Sequence, residues 1–267
     1  MKQYLILFLS LALFSCSSDS DEPIKEVSLK LKFTQNWDGA TFENVDLNST
    51  EFINKLSTKL TIERLRYLIS KVTLTDGADQ STIFDGYKLI DLNDPENLTH
   101  NLLEKVSEGN YKLAITFGFN ESDNTDGAYS DLNSASWNVP SMLGGGYHFM
   151  QLDGKYKDTL GVEKPYNFHI ISAYNTATAK KEDTSFTVDL GTVSLKNNAT
   201  IEIKMNIAGW FKAGLMKDPE DENLLIKNPK GWDLNGLHEN LMGNFKAQEA
   251  MYENGKNGVF SLGNISQ

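Results

Sequence analysis

The sequence predicts a mostly-β fold, an antiparallel β-sandwich or barrel-like domain with a C-terminal helix and long loops. Three observations carry this. Runs of alternating apolar and polar residues recur along the chain, Gly, Asn and Asp turn chemistry separates them, and the clearest helical spacing is confined to the C-terminal part.

In chain order, residues 27–33, 68–74, 111–117 and 200–207 each alternate so as to bury one face of a strand. Residues 86–92, 147–152, 166–173 and 185–193 are further strand candidates, and their separation by turn chemistry favours antiparallel pairing in a sandwich or barrel. Helical patterning is read over residues 51–57, 95–106 and 237–252. In the last, Leu237, Leu241, Phe245 and Met251 fall near one another on a helix and Asn254-Gly255 supplies a stop. The segment 120–146 has few periodic apolar positions and many Asn, Ser, Asp and Gly residues, and long irregular loops of this kind often carry function. No internal repeat or linker divides the chain.

The N-terminus has a separate logic. Lys2 precedes an apolar stretch from Tyr4 to Phe14, then Ser15-Cys16 gives way to Ser17-Ser18-Asp19-Ser20-Asp21-Glu22. This is the layout of a signal peptide, too short to span a membrane as a helix. The context Leu13-Phe14-Ser15-Cys16 resembles a bacterial lipobox, so Cys16 is expected to be acylated after residues 1–15 are removed. Several acyl chains together make membrane anchoring stable. Residues 16–26 form an acidic lipidated tether, and residues 27–267 the folded domain. Ser18 stands where an inner-membrane retention signal carries Asp, so the expected location is the outer membrane, lipid-anchored on the periplasmic face or at the cell surface.

Loss of Lys2 with the signal peptide takes the net charge from −11 to −12, which argues against a nucleic-acid partner. Cys16 is the sole cysteine, so no disulfide forms within the mature chain and no thiol is left for catalysis. There is no Walker loop, nucleophile elbow or His-Glu-x-x-His motif. The expectation is therefore a protein that is not an enzyme. Gly144-Gly145-Gly146 precedes a strand rather than a helix and is read as a flexible turn, while Asp91, Asp153 and Asp233 are read as turn or cap residues.

Metal chemistry is the main candidate. Of four histidines, His148, His169 and His238 fall where a site could assemble. The strand pattern around His169 sets it on one face with Asn167, opposite Phe168. His238 stands one helical turn before Met242, and imidazole with thioether suits copper better than magnesium or calcium. Binding by neutral imidazoles predicts affinity that falls as pH drops through ~6.5. Trp137, Trp210 and Trp232 are read as core or surface contacts; exposed, coplanar indoles would instead make a glycan platform.

The order of motifs completes the reading. Residues 66–74, then Tyr87-Lys88-Leu89-Ile90-Asp91, Glu108-Gly109-Asn110-Tyr111 and Phe117-Gly118-Phe119 are followed by Trp137, Gly146-Tyr147-His148, Asn167-Phe168-His169-Ile170, Asn228-Pro229-Lys230-Gly231-Trp232 and Glu253-Asn254-Gly255. Together they resemble the MbnP-like family of exported copper-associated β proteins, over about Leu29 to Phe260. The resemblance implies copper held by histidines and by a tryptophan oxidised to kynurenine. Trp137 matches that tryptophan and His169 the histidine of the phenylalanine-histidine motif. The chain departs from the pattern at Val139, where relatives place a histidine, and around Lys32-Phe33-Thr34, which also lacks one. His148 or His238 is expected to substitute. The competing expectation is a surface binding module for glycans or protein partners.

Overall fold

The computed structural model describes residues 25–221, 224–235 and 241–267. Cys16, the signal peptide and most of the tether lie outside the described residues, as does His238. The longer strands are β1 (Leu29–Trp37), β2 (Lys59–Thr75), β3 (Ser81–Asp91), β4 (Gly109–Phe117), β5 (Met150–Lys157), β6 (Glu163–Ile170), β7 (Phe186–Leu195), β8 (Ala199–Asn206) and β9 (Phe260–Ser266). The helices are α1 (Ser130–Ser134) and α2 (Phe245–Lys256).

Two sheets make the sandwich. The first runs β6-β5-β2-β4-β7, with β3 also on β2; the second runs β9-β8-β1 and continues into the short strand Ala40–Phe42. Alternation decides which faces meet. In β1, Leu29, Leu31, Phe33 and Gln35 are buried while Lys30 and Lys32 are exposed; in β8, Ala199, Ile201, Ile203 and Met205 are buried. Their partners come from the other sheet: Phe33 meets Tyr67 edge-on at 6.3 Å between ring centroids, and Phe260 reaches both Tyr67 and Phe117.

Neither sheet closes into a barrel, and one pairing departs from the antiparallel expectation. β1 and β8 run parallel, Leu29 opposite Ala199 through Asn36 opposite Asn206. Parallel neighbours need a crossover, and here the whole first sheet is the connection between them.

β2 organises the first sheet. β3 pairs with it over Arg66–Thr75, so β5 (paired with residues 60–67) and β4 (paired with residues 69–75) follow one another along the opposite edge. At the junction Leu68 donates to the Phe149 carbonyl at 2.9 Å and accepts from Gly118 N at 2.9 Å. The long loop between β4 and β5 leaves and re-enters the sheet here.

Three helical expectations change. Residues 52–53 form a strand on β2, not a helix, because Phe52 pairs with Leu60 and stacks on Trp37 at 4.5 Å. Residues 95–106 hold only a 3-10 turn (Pro95–Leu98) before Thr99–Asn101 joins β1, His100 opposite Leu31. The C-terminal helix begins at Phe245, where the Asn244 side chain accepts from Ala247 N; Leu241–Gly243 is a separate 3-10 turn. Met242 is thus not on the helix. Asn254-Gly255 does not stop the helix either. A Cβ on Gly255 would lie 2.3 Å from the Phe186 ring and Asn254 is buried against the Trp210 and Ala213 carbonyls, so this pair serves close packing and the helix ends at Lys256.

Candidate metal centre

Three strands supply a polar face beside that junction. The register sets Arg66, Gln151 and His169 in one cross-strand row and Arg64, Asp153 and Asn167 in the next, while Leu65, Leu152 and Phe168 point into the core between them. The pairing of β5 with β2 shifts between Asp153 and Gly154, a bulge of the kind that re-aims side chains near sites.

The β4–β5 loop lies over this face. Its turn Gly144-Gly145-Gly146 is left-handed at every residue (φ 93, 63 and 80°), and a Cβ on Gly146 would stand 2.5 Å from Asn124 Oδ1. The triple glycine is a turn, as expected, and its left-handed backbone and close approach to Asn124 are what require glycine. Beyond it, Tyr147 and His148 do not join β5 as expected, whereas Phe149 bonds to the sheet, its N–H donating to the Ile170 carbonyl at 2.7 Å. Tyr147 bridges to Asn138 and His148 N donates to the Trp137 carbonyl at 2.9 Å, so these two residues pair with their own loop and His148 is set beside Trp137. Trp137 is fully buried, with the Arg66 guanidinium 4.9 Å from its ring centroid.

From α2, buried Gln248 ties three parts together. It accepts from Ile171 N at 3.0 Å and donates to the carbonyls of His169 (2.8 Å) and Leu241 (3.0 Å). The end of β6 and the turn bearing Met242 are thereby held side by side.

The structure brings His148, His169 and Trp137 together, with Met242. The His148 ring lies 5.3 Å from that of His169 and 5.6 Å from that of Trp137. His148 Nδ1 is 2.9 Å from the Trp137 carbonyl and Nε2 is 3.1 Å from Met242 Sδ. Burial above all pushes the His148 imidazole down to about 4, with His169 and Arg64 adding to it against the Trp137 carbonyl, so the ring is neutral at pH 7. A carbonyl can only accept, which assigns the single proton to Nδ1 and leaves the Nε2 lone pair facing the thioether. Proton competition at this ring therefore begins far below the ~6.5 expected of an ordinary imidazole.

His169 Nε2 is 2.7 Å from Asp153 Oδ1. Burial pushes the Asp153 carboxyl up, but His169, Asn167 and Arg64 outweigh it and hold the group below its usual range. His169 Nδ1 is buried and without a hydrogen-bond partner among the described residues, as is Trp137 Nε1. Among these residues no three His, Cys, Asp or Glu side chains are placed to hold a metal ion; the Met242 sulfur is the soft atom next to His148 Nε2. His100 belongs to the other sheet. Asp153 is not the turn or cap residue expected; it sits mid-strand with its carboxylate on His169.

The other aromatic candidates are structural. Trp210 and Trp232 are as fully buried as Trp137, so the three indoles offer no exposed platform for a sugar. In the sequence, Asp153 reads as a turn or cap residue and nothing singles out a role for Gln248, because each is a single polar residue in an ordinary pattern. The period-two match of Gln151 and Asp153 with Asn167 and His169 was the signal that could have raised Asp153.

A family model described as MbnP matches residues 26–227. Among solved structures, MbnP from Methylosinus trichosporium is similar at 13% identity, over 68% of this chain and 76% of that chain, with a TM-score of 0.44. No curated protein matches the sequence. The matched stretch contains Trp137, His148, Asp153 and His169 and stops before Met242. Because the family model spans well over half of the chain, the chain belongs to the MbnP family.

Proposed function

We propose that this protein is a non-enzymatic cell-envelope lipoprotein, lipidated on Cys16, that holds a copper ion through His148, His169 and Met242 with Trp137 alongside. One observation carries the reading: the unprotonated Nε2 of a buried neutral histidine is set against a thioether sulfur at 3.1 Å with no proton to share. Two lone pairs repel at that distance, and a cation between them turns the repulsion into ligation. The outward nitrogens support the same reading. Each imidazole engages an oxygen acceptor on its far side, Trp137 O or Asp153, which is how metal-ligating histidines are oriented. Two imidazoles and a thioether form a soft, uncharged donor set, suited to copper rather than to calcium or magnesium.

The orphan Nδ1 of His169 fits such an ion. His238 remains a candidate fourth donor and Trp137 a candidate for oxidative modification. The lipid anchor and acidic tether would hold the domain at the outer membrane, on its periplasmic face or at the cell surface. Elemental analysis of the mature protein purified from its native envelope tests the reading. Stoichiometric copper, absent from His169→Ala, is the expected result; wild-type protein that neither carries nor takes up copper would refute it.

A further inference from the structure

Asp153 is a buried carboxylate in the middle of β5, 6% exposed, and the copper reading uses it only as the acceptor on the far side of His169. Its surroundings are more organised than a chance contact requires. Arg64 reaches Oδ2 with both Nε, at 2.5 Å, and Nη2. Asn167 Nδ2 donates to Oδ1 at 2.6 Å, and His169 Nε2 meets the same oxygen at 2.7 Å. The partners arrive from both neighbouring strands, because Asp153 is in register with Arg64 on β2 and Asn167 on β6, and His169 lies two residues on, on the same face.

We propose that Asp153, gripped by Arg64 and Asn167, is the positioning residue of this centre: it keeps the His169 proton on Nε2 and so reserves Nδ1 for a ligand. The consequence for metal binding rests on the copper reading above, whereas the tautomer does not. Two costs oppose the other tautomer. A proton on Nδ1 would be a buried N–H with no acceptor among the described residues, and the bare Nε2 would face a carboxylate oxygen at 2.7 Å. Arg64 prevents the carboxylate from turning away, since rotation would break its paired contact on Oδ2. The result is the arrangement seen at His148 reached by other means: a backbone carbonyl orients one ring and a clamped carboxylate the other.

The experiment is long-range 15N–1H NMR of the metal-free mature chain labelled at histidine, with the His169 signals assigned by their loss in His169→Gln. Wild type should show a protonated Nε2 and a bare Nδ1. In Asp153→Asn the amide oxygen retains Arg64 and the NH2 turns to His169, so the proton should move to Nδ1; Asp153→Glu should restore the wild-type pattern. Copper(I) affinity, read by chelator competition, should fall about 10- to 100-fold in Asp153→Asn. A wild-type spectrum with the proton on Nδ1 overturns the proposal even if the variant fails to fold, and so does an unchanged tautomer in Asp153→Asn. Wild-type protein with the expected tautomer, inverted by Asp153→Asn, that binds no copper would uphold the role of Asp153 and refute the copper reading.

Discussion

Trp137 and Trp232 are the same residue at the same complete burial, and their surroundings differ. Trp232 packs on Phe168 at 5.0 Å and donates its indole N–H to the Trp210 carbonyl at 3.0 Å. Trp137 has a guanidinium over its ring and an imidazole 5.6 Å away, and its N–H has no partner among the described residues. The same burial therefore leaves one indole N–H matched and the other not. Around Trp232 the ring adds apolar area with its polar atom matched, the arrangement that stabilises a fold. Around Trp137, polar atoms are shielded from water and left unmatched, which costs stability unless something else occupies them.

The largest expected effect separates the two regions outright. His148→Ala and His169→Ala should abolish copper retention while leaving the sandwich folded, as elemental analysis and far-ultraviolet circular dichroism of the purified variants would record. Retention of stoichiometric copper by either variant would erase the distinction.

The converse change comes next. Trp232→Ala should cost about 3–5 kcal/mol of unfolding free energy, the range for emptying a buried aromatic site. Urea denaturation measures this, and the folded fraction should still bind copper one to one. A loss below ~1 kcal/mol would mean that Trp232 is not the packing residue described.

A pH series sharpens the comparison from the side of His148. His148 has its folded value lowered to about 4 from 6.5, so between these values the unfolded state binds the extra proton. Apo-protein stability should then fall as pH drops from 6.5 to 4, by about 3 kcal/mol from this ring, and its contribution should flatten below that. His100 is also lowered by burial, so the test is the difference between wild type and His148→Gln. Asp153, depressed below 3.8, contributes stability that is lost only at more acidic pH. Equal slopes for wild type and variant between pH 6.5 and 4 would show that His148 is not buried neutral.

The smallest effect concerns the sulfur. Met242→Leu keeps the apolar volume and removes the donor, and copper(I) affinity should fall about tenfold, or 1.4 kcal/mol. Chelator competition gives the number. Unchanged affinity would remove Met242 from the ligand set and leave His238 as the alternative.

Much of this was legible residue by residue. The run 68–74 alternates because one face of β2 is buried, and 200–207 alternates for the same reason in β8, so strand periodicity located both. The strand around His169 was legible too, including its shared face with Asn167. Asp153 was not. A single Asp between Leu152 and Gly154 looks like turn chemistry until β2 and β6 arrive on either side. The start of α2 was also misplaced, because Leu237, Leu241 and Phe245 keep helical spacing across Asn244, whose side chain caps the helix.

By itself, the sequence determined the mostly-β class, the family resemblance, the lipobox expectation and Trp137, His148, His169 and His238 as candidates. These depend on local periodicity and on motifs read in order along one chain. Tertiary structure decided that His148 is folded back beside Trp137 by a left-handed glycine turn, that Gln248 holds the Met242 turn against the end of β6, and that Arg64, Asp153 and Asn167 share a row. The physical reason is distance along the chain: side chains from positions 148, 169 and 242 and a carboxylate held by position 64 come together only through sheet register and loop packing, which no local pattern encodes.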